Sequence, residues 1–121
     1  MEVQELRIGN LIFYHSNFTK ETRVKVVDLI TFSLLLGSHE EFKESYLPIP
    51  LTEEWLLKFE FWTSDWDVHS TLRKQVLDSS LVYDKDNKTF DLGDLLNIKI
   101  EYVHQLQNLY FVLTGEELKL K

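Results

Sequence analysis

Cysteine is absent from the 121 residues, which excludes a disulfide framework, a thiolate metal site, an iron–sulfur cluster and a cysteine nucleophile. Proline occurs twice and glycine four times, too rarely for a collagen-like or low-complexity chain. With so little glycine there is no Gly-rich phosphate cradle, and no Walker-type lysine accompanies one. No apolar run approaches the roughly 20 residues that cross a bilayer. The stretch Met1-Glu2-Val3-Gln4-Glu5 lacks the basic start and apolar centre of a signal peptide. The expectation is a cytoplasmic protein with no membrane association. Positive charge is in the minority, 13 Lys and Arg against 20 acids for a net −7, so the average field repels phosphate backbones. A protein partner is expected ahead of a nucleic acid.

What is present suits a folded chain. Hydrophobic residues make up 44% and aromatics 13%, enough for one core in a chain this long. Neither an internal repeat nor a linker marks a boundary, and the reading is a single domain over 1–121.

Leu6 to Tyr14 mixes β-branched and aromatic residues around Gly9-Asn10, a strand broken by a turn or bulge with Gly9 supplying the unusual backbone angle. A polar loop from His15 to Thr22 precedes a partly alternating strand, Arg23 to Ile30, and a third apolar run, Phe32 to Leu36, closes at Gly37. Three short strands in the first forty residues predict an antiparallel, SH3-like small barrel. Pro48 and Pro50 then enforce an extended approach to a short helix, Glu53 to Phe59. Thr52 caps it, Glu53 and Glu54 favour its positive end, and Leu51 and Leu56 occupy staple positions.

From Phe61 to His69, alternation sets Trp62, Trp66 and Val68 against Asp65, Asp67 and His69, as on a strand. Thr71 to Ser80 fits no single template. Leu81–Tyr83 and Thr89–Leu92 flank the polar Asp84–Lys88 loop as a hairpin. Asn97–Glu101 reads as a last strand, and Tyr102 or Val103, Leu106, Leu109, Tyr110 and Leu113 recur at helical spacing up to a Gly115 C-cap. Residues 116–121 read as a frayed tail. The fold class is therefore α+β, with further antiparallel strands after the central helix and a C-terminal amphipathic helix.

Candidate chemistry is sparse. Asp65, Asp67 and His69 at period two present metal-ligating groups, but i and i+4 of a strand lie too far apart to converge easily, and a solvated polar face explains them equally. The Asp84–Lys88 loop departs from a calcium loop, with Thr89 in place of the required glycine and Leu95 in place of the bidentate glutamate. No metal and no cofactor is expected. His104, Gln105, Gln107 and Asn108 form an amide-rich side of the last helix, able to hydrogen-bond either a partner or neighbouring strand ends. Trp62 and Trp66, with Tyr83, are either an aromatic binding platform or core. The candidate binding residues are thus Trp62, Trp66, His104, Gln105 and Asn108, and no catalytic set stands out.

Three segments in order, Leu6-Arg7-Ile8-Gly9-Asn10, Pro48 through Phe59, and Ile100 through Phe111 continued by Leu113-Thr114-Gly115-Glu116-Glu117-Leu118, resemble a family of small uncharacterised proteins from bacterial phages and mobile elements. Similar proteins often carry glycine where this chain has Glu60. The resemblance implies an accessory role exerted by binding host or viral proteins, and it assigns no activity or residue role. The expectation is a non-enzymatic protein-interaction module. A nucleic-acid-associated domain using Arg23, Lys25, Arg73 and Lys74 is the alternative, and a homo-oligomer is left open.

Overall fold

The computed structural model describes residues 5–16, 18–37, 45–63, 71–77, 79–92 and 97–120. The chain is α+β, with two antiparallel sheets and three helices among the described residues. It divides into two compact units. The first comprises Met1–Pro50 with Tyr102–Asn108, the second Leu51–Glu101 with Leu109–Lys121.

The first unit holds β1 (Leu11–His15), β2 (Thr22–Val26), α1 (Leu29–Leu36) and β3 (Tyr46–Leu47), with sheet order β2-β1-β3. Gly9, at φ 100°, makes the turn that sequence places there. Asn10 fixes it by accepting from the Arg7 N–H at 2.7 Å. The core gathers Leu6, Ile12, Val27, Leu35 and Tyr46, with Tyr14 and Phe32 packed on its margin.

Two expectations are corrected here. Among the described strands no barrel closes, so the SH3-like reading is not met. The run expected as a third strand is instead α1. Its cause is local: Asp28 is an N-cap whose carboxylate accepts from the Thr31 N–H at 2.7 Å. That bond satisfies one of the donors a helix start leaves free, and it also holds the Asp28 pKa below its ordinary value. A short apolar run containing Ile and Thr has no periodicity of its own to decide between helix and strand, so the cap decides.

The second unit holds α2 (Glu53–Lys58), β4 (Thr71–Val76), β5 (Ser79–Asp84), β6 (Thr89–Leu92) and β7 (Ile98–Lys99), its sheet running β4-β5-β6-β7. The predicted hairpin is present, with Tyr83 opposite Phe90 and Asp84 opposite Thr89. Its loop is tied by the Asp84 carboxylate, which accepts from the Asp86 N–H at 2.9 Å and the Asn87 side-chain amide at 2.9 Å. Buried Leu72, Val76, Leu81, Tyr83 and Phe90 recur at every second or fourth strand position, the pattern of a sheet with one covered face.

Helix α2 starts as predicted, with Thr52 Oγ1 accepting from the Trp55 N–H at 3.4 Å. It ends in a Schellman motif: the Phe61 N–H donates to the Leu56 carbonyl and the Glu60 N–H to the Leu57 carbonyl, both at 3.0 Å. This motif needs a left-handed residue, and Glu60 occupies it at φ 68°. Glycine is the favoured residue there, so a glutamate holds this position under strain. Lys74 completes the end by donating to the Phe59 carbonyl at 3.0 Å.

Helix α3 (Val103–Thr114) contributes its first residues to the first unit and the rest to the second. Gly115 follows it at φ 73°, the left-handed C-cap expected of it. The tail is not frayed throughout, because Leu118 is buried. No helix among the described residues is long and apolar enough to cross a membrane.

Candidate interaction surface

Of the residues singled out from sequence, most have their polar groups engaged within the chain. Asn108 Oδ1 accepts from Arg7 Nε at 3.2 Å and from Asn10 Nδ2 at 2.8 Å, while its own Nδ2 donates to the Glu5 carbonyl at 2.7 Å. Gln107 Oε1 accepts from the Leu11 N–H at 2.8 Å and its Nε2 donates to the Gly9 carbonyl at 3.4 Å. Gln105 Oε1 reaches back to the Tyr102 N–H at 3.1 Å, half of a capping box for α3. His104 is buried, stacked on Tyr102 with 5.8 Å between ring centroids, its Nε2 3.5 Å from a Glu5 carboxylate oxygen. Burial holds its imidazole below the ordinary pKa, with Glu5 opposing the shift. This amide row stitches residues 5–11 to α3, the structural alternative that sequence leaves open for it.

Trp62 is half exposed, exchanges two main-chain hydrogen bonds with Arg73, and has the Arg73 guanidinium 5.9 Å from its ring centroid. Trp66, Asp65, Asp67 and His69 lie outside the described residues. Lys74, one of the cations of the nucleic-acid alternative, is largely buried against the end of α2 and the Tyr110 ring.

The surface that sequence reasoning missed lies on β2 and α1. Helix α1 buries Thr31 and Leu35 toward the core. At 100° per residue the opposite side carries Leu29, Ile30, Ser33 and Leu36. These apolar residues are 67%, 72% and 59% exposed, and Val24 and Val26 just before them are 46% and 54% exposed. No charged residue stands within Leu29–Leu36, so the outward side of α1 is apolar apart from Ser33. A soluble helix ordinarily shows polar residues outward, and one apolar all round is ordinarily covered. Burying Leu29, Ile30 and Leu36 would stabilise by about 1.5–3 kcal/mol each, a gain the chain alone leaves unrealised.

Strand β2 adds a free edge. It lies at the end of its sheet among the described strands. Its register sets Val26 opposite Leu11, Lys25 opposite Ile12, Val24 opposite Phe13 and Arg23 opposite Tyr14. Arg23 and Lys25 therefore share the sheet face of Ile12 and Tyr14, and Val24 and Val26 share the other with Leu11 and Phe13. A cavity of about 350 Å³ opens beside β2, lined by Tyr14, Ser16, Thr19, Glu21, Arg23 and Lys25 and also by Val24. Arg23 is bonded to Glu21 at 2.9 Å. Ser16 and Glu21 close the β1–β2 turn through a 2.9 Å main-chain bond, and His15 meets Thr22 at 2.9 Å.

Comparison with protein-family models, curated proteins and solved structures yields no match. The reading of function rests on this geometry and on the sequence. Its missed signal was present in Asp28 and the charge-free run Leu29–Leu36, a capped helix with no solvent face.

Proposed function

We infer that the chain is a non-catalytic protein-binding module, an accessory protein of the kind that phages and mobile elements carry, and that it binds through β2 and α1. The observation that supports this reading is the outward face of α1, where Leu29, Ile30 and Leu36 stand exposed with Val24 and Val26 beside them in the chain. Exposed apolar residues gathered on one helix side are what docking of another macromolecule covers, and depletion of charge is typical of an interface centre.

The test is retention of partner proteins by the tagged chain and by a Leu29→Ser/Ile30→Ser variant, compared after nuclease treatment. The expected result is a stoichiometric protein partner held by the unsubstituted chain and lost by the variant, with an unchanged urea midpoint. The same proteins held equally by both would reject α1 as the binding face.

A further inference from the structure

We propose that β2 receives an extended, acidic segment of the partner protein as an added antiparallel strand, with acidic and apolar residues alternating along it. The proposal rests on the protein-binding reading above and names the chemistry of the partner. Three observations carry it. The first is the hydrogen-bond phase of the edge. The Val27 N–H donates to the Asn10 carbonyl at 2.8 Å and the Ser16 N–H to the Glu21 carbonyl at 2.9 Å. With the β1–β2 register, alternation directs the main-chain groups of Arg23 and Lys25 toward β1 and those of Thr22, Val24 and Val26 outward. Those three residues are exposed, so their N–H and C=O groups form a template for strand addition.

The second is the side-chain alternation of β2 itself. An added antiparallel strand places residues opposite Val24 and Val26 on the apolar face and residues opposite Arg23 and Lys25 on the cationic one. Charge complementarity then asks for carboxylates at the second set. The Lys25 ammonium has no hydrogen bond and no close ion pair among the described residues, only a longer-range attraction to Asp28, and Arg23, held by Glu21 at 2.9 Å, keeps further guanidinium donors. The positive strand stands out in a chain of net charge −7. The same alternation disfavours a second copy of this chain, because β2 paired with itself would set Arg23 and Lys25 against their own like charges.

The third is the cavity of about 350 Å³ beside Tyr14, Arg23 and Lys25. It lies against the cationic residues of β2, and although Glu21 also lines it and holds Arg23, an acidic side chain of the added strand meets the hydroxyls of Ser16 and Thr19 and the Lys25 ammonium there.

The experiment uses the full chain and a synthetic peptide of alternating Glu and Val, followed by amide hydrogen exchange and fluorescence anisotropy. Controls are the same peptide with Lys for Glu, one N-methylated at alternate residues, and a single-stranded oligonucleotide. The expected result is at least tenfold slower exchange at the Thr22, Val24 and Val26 N–H groups with the acidic peptide alone. Arg23→Glu/Lys25→Glu should weaken it about tenfold, as loss of two surface charge pairs allows. Thr22, Val24 and Val26 exchanging unchanged, or the Lys and Glu peptides binding alike, would overturn the proposal. So would an oligonucleotide that binds through Arg23 and Lys25 in place of the peptide. If partner retention remains sensitive to Leu29→Ser/Ile30→Ser in such a case, only strand addition is rejected. If that sensitivity is absent as well, the binding reading falls with it.

Discussion

The two units of the chain treat their apolar residues differently. In the second, strand alternation sends Leu72, Val76, Leu81, Tyr83 and Phe90 to one covered side. Phe90 is in ring contact with both Tyr83 at 4.7 Å and Phe61 at 6.1 Å between centroids. Its exposed apolar residues are Leu57 on α2, Trp62 and Leu77 outside the named elements, the adjacent Phe111 and Val112 on α3, and Leu120 in the tail, mostly scattered as surface residues are on any protein. In the first unit Ile8, Phe18 and Leu47 are exposed singly, but five further exposed apolar residues, Val24, Val26, Leu29, Ile30 and Leu36, fall within one stretch of thirteen. The second unit spends its hydrophobic residues on its own fold, whereas the first has more than its small core takes up. The proposed binding surface belongs to the first unit for that reason.

Core truncations test that comparison with the largest expected effects. Leu72→Ala in the second unit and Ile12→Ala in the first, both fully buried, should each cost about 3 kcal/mol in urea unfolding. Leu29→Ala and Ile30→Ala should stay within about 0.5 kcal/mol, as exposed positions do. A cost at Leu29 matching that at Ile12 would make α1 core on both sides and remove the contrast.

The amide row comes next. Asn108→Ala leaves Asn10 Nδ2, Arg7 Nε and the Glu5 carbonyl without their present partner, and should cost about 2 kcal/mol, read from the same unfolding curve. A smaller opposite effect is expected in the second unit, where Glu60→Gly relieves the left-handed strain at φ 68°. It should stabilise by about 1 kcal/mol, the weak 3.9 Å contact with Lys74 contributing little in exposed surroundings.

The slightest effect is one of pH. His104 is held below its ordinary pKa of 6.5 by burial, so the unfolded chain binds this proton more readily than the folded one. Stability should be complete above about pH 6.5 and decline as pH falls below it. His104→Gln should flatten that decline in a series of urea midpoints. Asp28 acts in a separate, more acidic window, since its pKa lies below the ordinary 3.8 when folded and its contribution is lost as pH falls through that lowered value.

Much of the second unit was legible because its signals are local. The Thr52 cap, the acidic first turn of α2 and the polar loop between Tyr83 and Thr89 act over a few residues, and each has a stereochemical reason. The terminal helix was legible through its apolar spacing and Gly115. The first unit was less so. Residues 29–36 read as parts of two strands, because nothing in the apolar run itself marks Asp28 as a helix cap. The partial alternation after Arg23 does not say which side is covered, and only the register shows Val24 and Val26 on the side away from Ile12. The roles of Gln107 and Asn108 depend on main-chain partners nearly a hundred residues away, which spacing along one helix does not reveal. Segments 6–10 and 100–111 include groups bonded to one another.

The most direct test of the central claim is the protein adduct formed by a photocrosslinking amino acid at Ile30, compared with one at Asp86 in the exposed β5–β6 loop. A discrete adduct from position 30, absent from position 86, is the predicted result. Equal adducts from both positions, or none from position 30, would contradict it.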